Sequence, residues 1–252
     1  MENSFQDFFK DVRKSAILNP SPELGQFFNT AIAKTIIQLK SEMKREQDIS
    51  KYLSEVKLSD SYLTNGRPND DDEQYFERQM ENSENMLWHE ANLTAVAEMR
   101  IIYLFKNFEI GVRLLIEQVY KDSGFSDFYK WDSLKNFFKG LGIIMSKISG
   151  YAETNELKNV NNQIKHGYEL SKDVKGIKEF ANAEAITYLN CEQFYKRIHD
   201  KVNSFLANLS QAVYDERYEF EQDRIKAIAF EYKNRMDDVA LKQLIDELST
   251  NR

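Results

Sequence analysis

The stretch Leu157-Lys-Asn-Val-Asn-Asn-Gln-Ile-Lys-His166-Gly167 decides how this chain is read. Leu157, Val160 and Ile164 recur at helical spacing and make one apolar face. Lys158, Asn162 and His166 stand four apart, so they lie one above another on a helix. Asn161 and Lys165 form a second polar line beside the first. Gly167 comes just after the last turn, where a helix end favours a residue that accepts positive φ. An imidazole on the last turn, beside amides and ammonium groups, makes the only dense cluster of usable chemistry in the sequence.

Outward from that helix, the composition favours helices throughout. Only 9 Gly and 3 Pro occur in 252 residues, so turns are few and elements long. All three prolines fall before residue 70, and nothing after Pro68 carries a proline helix breaker. Hydrophobic residues at 42% and aromatics at 13% suffice for a core. No segment reaches the ~18 apolar residues of a membrane span, and no basic stretch followed by an apolar run opens the chain. A soluble cytoplasmic protein with no membrane association is expected. Cys191 stands alone, which excludes an internal disulfide and a Cys-rich zinc site; its spacing from Tyr188, Phe194 and Tyr195 reads as a buried small hydrophobe.

Net charge is −7, which argues against broad nucleic-acid binding and against DNA as a partner. The charge is uneven. Residues 69–99 hold nine acidic side chains against one Arg, residues 100–150 eight basic against five acidic, and residues 151–180 five of each. The middle of the chain therefore tolerates a small polyanion that the whole would repel.

Three parts are expected. Residues 1–60 form an N-terminal helical extension: a short amphipathic helix with Phe5, Phe8, Phe9 and Val12, a break at residues 19–22, then a long helix over about 22–57. Residues 60–72 read as a loop. Residues 70–215 form the main bundle of long antiparallel helices. Its first helix runs from Glu73 to Tyr120, with residues 82–85 as its weakest point and the acidic run at 70–73 suited to its N-terminus. A shorter helix over 131–138, the helix ending at His166, a polar loop over 167–176 and a long helix capped by Asn182 follow. Residues 216–252 form a charged helical tail able to dock on a partner or a second copy. No period-two alternation suggests a strand.

The order of long helix, short helix, helix ending in Asn162-Gln-Ile-Lys165-His166-Gly167, and second long helix resembles the HEPN superfamily of helical bundles found in bacterial toxins and defence systems. A second stretch, Ile102-Tyr-Leu-Phe-Lys-Asn-Phe-Glu109, looks like that family's first core helix with its embedded acidic residue. The resemblance covers residues 93–209. It implies metal-independent RNA cleavage without a cofactor, by homodimers in which two motifs face one cleft, and an antitoxin or phage-defence protein as partner. His166 then matches the family's His and Asn162 its polar companion. Asn161 stands where the family most often carries Arg; that window here is Asn159, Val160 and Asn161, with no Arg in it.

Cleaving RNA without a metal means driving a ribose 2′-OH into the neighbouring phosphorus. Imidazole is the side chain that exchanges a proton near neutrality. A cation must then offset charge on the phosphoryl oxygens, and Lys165 or Lys158 would have to supply it. Asn161 and Asn162 would orient His166 or hold a phosphate oxygen. Lys158 and Glu109 are the candidate substrate-binding groups. Each has a plainer alternative: His166 as a helix-dipole partner, the Asn pair as a polar crossing contact, Lys158 and Lys165 as solvated charges, Glu109 as a buried partner for a Lys or His. Trp131, Tyr129, Phe137 and Phe138 are candidates for stacking on bases or for the core. His89 and His199 have no second metal ligand four residues away, and no glycine-rich phosphate loop is present. Two further readings stand beside the ribonuclease: a non-catalytic helical interaction module, and a nucleotide-binding sensor using the same polar cleft.

Overall fold

The computed structural model describes residues 12, 14–18, 24–167 and 169–250, and among them every regular element is helical. The expected all-α fold is what forms. Of the expected N-terminal helix, residues 12 and 14–18 are described and helical; Phe5, Phe8 and Phe9, and the break at residues 19–22, lie outside the described residues. The helices are α1 (Leu24–Ser54), α2 (Asp60–Asn65), α3 (Asp70–Val119), α4 (Trp131–Gly140), α5 (Tyr151–His166), α6 (Lys172–Lys175), α7 (Tyr188–Tyr218), α8 (Gln222–Arg235) and α9 (Asp238–Thr250). The stretch expected as loop between 60 and 72 thus contains α2, and the one between 167 and 176 contains α6. The long helix, expected to reach Tyr120, ends at Val119 and is followed by a 3-10 turn over Lys121–Ser123, with Gly124 left-handed at its end.

Helix α3 is 50 residues long, about 75 Å at ~1.5 Å per residue. Its start is built by Asn69 and Asp72. The Asn69 side chain accepts from the Asp72 N–H at 2.9 Å, and the Asp72 carboxylate accepts from the Asn69 N–H at 3.1 Å. Asp72 also accepts the Ser59 N–H at 2.9 Å and the Ser59 hydroxyl. That hydroxyl bond, against the opposing effect of burial, holds its carboxyl below the usual carboxylate range. The expected weak point at 82–85 is unbroken helix. Asn82 is buried, and its amide donates to the Glu46 carbonyl at 2.9 Å and the Glu46 carboxylate at 2.8 Å. A side chain that favours turns locally is here a cross-link between α1 and α3.

Helices α1 and α3 are antiparallel, as the pairs Glu46–Asn82, Glu42–His89 and Phe28–Tyr103 show. Ile32, Ile36 and Leu39 of α1 bury against Leu93, making a small core of their own. The larger core is built from the second half of α3 with α4, α5 and α7, and includes Phe108, Leu115, Phe138, Leu157, Val160, Phe194 and Phe205. Cys191 is fully buried there, and burial, with the Glu98 charge adding, pushes its thiol up to about 12.

Within this core the expected antiparallel arrangement holds for α5 and α7, where Glu156 meets Arg197 and Gly150 meets Phe205. It does not hold for α3 and α7. Thr94 meets Tyr188, Arg100 meets Glu192, Gly111 meets Leu206, and Tyr120 meets Glu216, so the two helices run parallel. Residues 120–187 are the crossover that parallel neighbours need, with α5 as the returning arm. Helix α7 begins at Tyr188, not at Asn182. Thr187 caps it, the Tyr188 N–H donates to Thr94 Oγ1 at 3.1 Å, and the Asn190 amide donates to the Glu179 carbonyl at 2.7 Å. Tertiary contacts set that start where local propensity would have let the helix run on.

Two features lock α5 on α7. Gly150 stands at φ +90, and a Cβ there would strike the Lys201 carbonyl and lie 2.8 Å from Phe205 Cβ. Arg197 donates to Glu179 at 2.7 and 2.8 Å and to Glu156 at 2.7 Å. Burial pushes Glu179 up, but the Arg197 hydrogen bonds and nearby positive charges outweigh it and hold the carboxyl below its usual range. Helices α8 and α9 contain no buried residue. Their described attachment is Arg224, which donates to the carbonyls of Asp215 (2.9 Å), Glu216 and Glu219 (2.7 Å) at the end of α7.

Gly150→Ala is expected to cost about 2–4 kcal/mol, since a left-handed backbone and a steric clash act together. Gly140→Ala, with open space around it, is expected to stay within about 1 kcal/mol. Urea midpoints of the two variants decide between them.

Candidate functional site

Helix α5 carries the site because its two faces have opposite duties. Leu157 and Val160 are fully buried and Ile164 packs at the edge of the core. Lys158 is half-buried, while Asn162, Lys165 and His166 are exposed. Asn161, expected on a polar line, is instead 1% exposed. Whether a residue between the apolar and polar faces is buried is decided by what packs beside it, and Asn161 lies among residues of α3, α4 and α5.

Gly167 does not take a left-handed conformation; its φ is −116. The reason for glycine is space. A Cβ would strike the Gln163 amide nitrogen and lie 2.8 Å from its Cδ. Gln163 cannot move aside freely. Its Nε2 donates to the Glu169 carbonyl and its Oε1 accepts the Ser171 N–H, both at 2.8 Å. The buried amide thus ties the segment after His166 back onto α5.

Lys158, Asn161, Asn162, Lys165 and His166 line one cavity of about 260 Å³. Glu109 of α3 lines it too, so the candidate residues from both motifs come together. The apolar wall comes from Phe105 and Phe108 of α3, Phe128 and Tyr129 ahead of α4, and Trp131 and Leu134 of α4. Among the stacking candidates, Trp131 and Tyr129 are at the cavity, whereas Phe138 is fully buried and Phe137 packs on Tyr120, Phe125 and Phe138. Phe105, Phe108, Phe128 and Leu134 were not legible as site residues. The density of aromatics from Phe125 to Trp131 was the one local signal, and only the α3–α4 packing turns it toward α5.

Burial pushes the Glu109 carboxyl above its usual range, and the Lys165 charge opposes that only in part. The Lys158 ammonium sits 5.7 Å from the Trp131 ring centroid, a cation–π contact. Trp131 is itself fixed, stacked on Tyr151 at 5.9 Å and tilted on Phe108 at 6.0 Å. His166 makes no hydrogen bond or ion pair to another described residue, which leaves both ring nitrogens available at the rim. The other two histidines do have companions. His89 Nδ1 lies 3.6 Å from Glu42, and His199 Nδ1 lies 2.9 Å from Asp200. No group of three or more His, Cys, Asp or Glu is placed to hold a metal among the described residues, and no described helix is long and apolar enough to cross a membrane.

Glu109 gives a pH signature with a definite sign. A carboxyl whose folded pKa is raised is favoured protonated, so its ionisation destabilises the fold as pH rises through the raised value. Glu109→Gln is therefore expected to melt higher than the parent at pH 7, with the gap closing toward pH 3. A gap of opposite sign would mean that the Lys165 attraction dominates. Separately, Gln163→Leu is expected to cost about 1–3 kcal/mol and to speed exchange of the Ser171 amide proton, because the Ser171 N–H and the Glu169 carbonyl lose their partner.

Compared with protein families, with curated proteins and with solved structures, the chain matches none.

Proposed function

We propose that this protein is a HEPN-like, metal-independent endoribonuclease whose proton-transfer group is His166, acting in a phage-defence or toxin–antitoxin setting. One observation carries the reading. The residues that the two sequence stretches single out, Glu109 on α3 and the Lys158–His166 cluster on α5, line a single open cavity. His166, Lys165 and Asn162 are exposed at its rim, where a polymer can reach them.

In the proposed step His166 takes the proton of a ribose 2′-OH. The 2′-oxygen bonds to phosphorus, the phosphorus–O5′ bond breaks, and a protonated imidazole, from this chain or from a second copy, returns a proton to the departing 5′-oxygen. Lys165 and Lys158 take the place of the absent Arg and offset the charge on the phosphoryl oxygens as point charges. Asn162 holds an oxygen of the same phosphate. A homodimer would bring two such cavities to one groove, and an antitoxin or defence protein would control access.

Helices α8 and α9 favour a second reading, a non-catalytic interaction module. Neither buries a residue, and Phe230, Val239 and Leu248 are each more than 65% exposed.

Cleavage of RNA in the presence of a chelator, giving 2′,3′-cyclic phosphate ends, is the expected result. His166→Ala is expected to slow it ~10²–10⁴-fold and Lys165→Ala ~10²-fold. Identical RNA patterns from parent and His166→Ala protein would leave the interaction module standing, and a stable self-complex or hetero-complex by light scattering would then be its mark.

A further inference from the structure

Two residues that line the cavity each hold a buried polar atom without a hydrogen-bond partner. Asn161 is 1% exposed, and its Oδ1 is buried without a hydrogen bond. The Trp131 indole Nε1 is also buried without one. Folded chains leave few such groups, and each needs a reason. These two are of opposite kind, an acceptor and a donor, and both belong to residues that line the same space.

Neither atom is tied up by the local structure. The Asn161 amide nitrogen donates only to Asn162 Oδ1, at a long 3.3 Å, and Asn162 is exposed. Trp131 is held by its ring faces, and its buried N–H edge is left without a partner. Phe128 and Tyr129 add aromatic surface, and Lys165 adds a cation at the mouth. The ligand that answers all of this is flat and aromatic, offers an N–H and an acceptor on one edge, and carries a negative charge close by. An unpaired nucleotide within a strand has that form.

We infer that the cavity is a base-reading subsite for single-stranded RNA, an inference that rests on the ribonuclease reading above. One base turns out of the strand into the cavity. Its N–H donates to Asn161 Oδ1, an acceptor on its edge takes the Trp131 Nε1–H, and its face lies on the Phe128–Tyr129 aromatics. The neighbouring phosphate then falls at Lys165 and His166. A duplex is excluded as substrate, because a paired base has this edge occupied and its faces stacked. Asn161 and Trp131 are thus the specificity-determining residues of the site.

The test uses full-length His166→Ala protein, so that binding is read without cleavage. Its affinity is measured for adenylate, uridylate and cytidylate pentamers and for a ribose-phosphate pentamer without bases. At least one base-bearing pentamer is expected to bind about ten-fold tighter than the abasic strand, as loss of one base contact implies. Adding Asn161→Leu is expected to erase that advantage while leaving the melting temperature equal or higher, because an unpartnered buried oxygen has been removed. No advantage for any base, or an Asn161→Leu protein that melts lower, would overturn the inference. Cleavage by the parent protein without a base advantage removes the subsite and keeps the nuclease. A base advantage without cleavage keeps the subsite and removes the nuclease.

Discussion

Helices α3 and α7 run in the same direction, and parallel neighbours cannot be joined by a short turn. That constraint arranges the rest of the molecule. The chain must travel back along the pair before α7 can begin, and α5 makes the return. Because α5 runs opposite to α7, its C-terminal turn finishes beside the last third of α3, where Phe105, Phe108 and Glu109 lie. The helix end that carries His166 is put next to an acidic residue more than fifty positions away by topology, with no need of any local signal.

The locks on this arrangement are polar as well as apolar. Gly150 lets the start of α5 touch the α7 backbone, and Arg197 fixes Glu156 and Glu179 across three segments. A half-buried guanidinium with two carboxylates carries a desolvation cost and offers strength only when its donors are used. Its reward is in orientation: a bidentate fork allows one alignment where packed methyl groups would allow several. Gln163 does the same on a smaller scale, with both ends of its amide engaged by backbone. The unpaired atoms of Asn161 and Trp131 are two of five buried side-chain atoms without a hydrogen-bond partner among the described residues, and the two whose residues line this cavity.

How far the sequence could be read follows the range of the forces involved. The 3.6-residue period of Leu157, Val160 and Ile164 reports burial that the helix itself enforces, and so the polar stripe opposite was legible. The acidic start of α3 was legible because capping is local. Asn82 misled because its preference for turns is a local matter, while its actual partner, Glu46, is thirty-six residues away. Gly167 misled because two different needs, a left-handed backbone and a lack of room, call for the same residue. The direction of α7 relative to α3 leaves no trace in periodicity, since a helix buries the same stripe whichever way it points. The aromatic wall of the cavity was hidden for a related reason. Phe105 and Phe108 are buried like any core residues, and only the packing of α4 and α5 beside them sets them along the cavity.

Helix α3 belongs to both cores: Leu93 seals the α1 contact, and residues from Ala97 to Val119 build the larger bundle. Between them runs unbroken helix with no proline or bulge to bend it sharply. The span from Asp70 to Glu109 is about 58 Å at ~1.5 Å per residue. Such a rod works as a lever. A tilt of ~5° about Glu109 would sweep its far tip through ~5 Å.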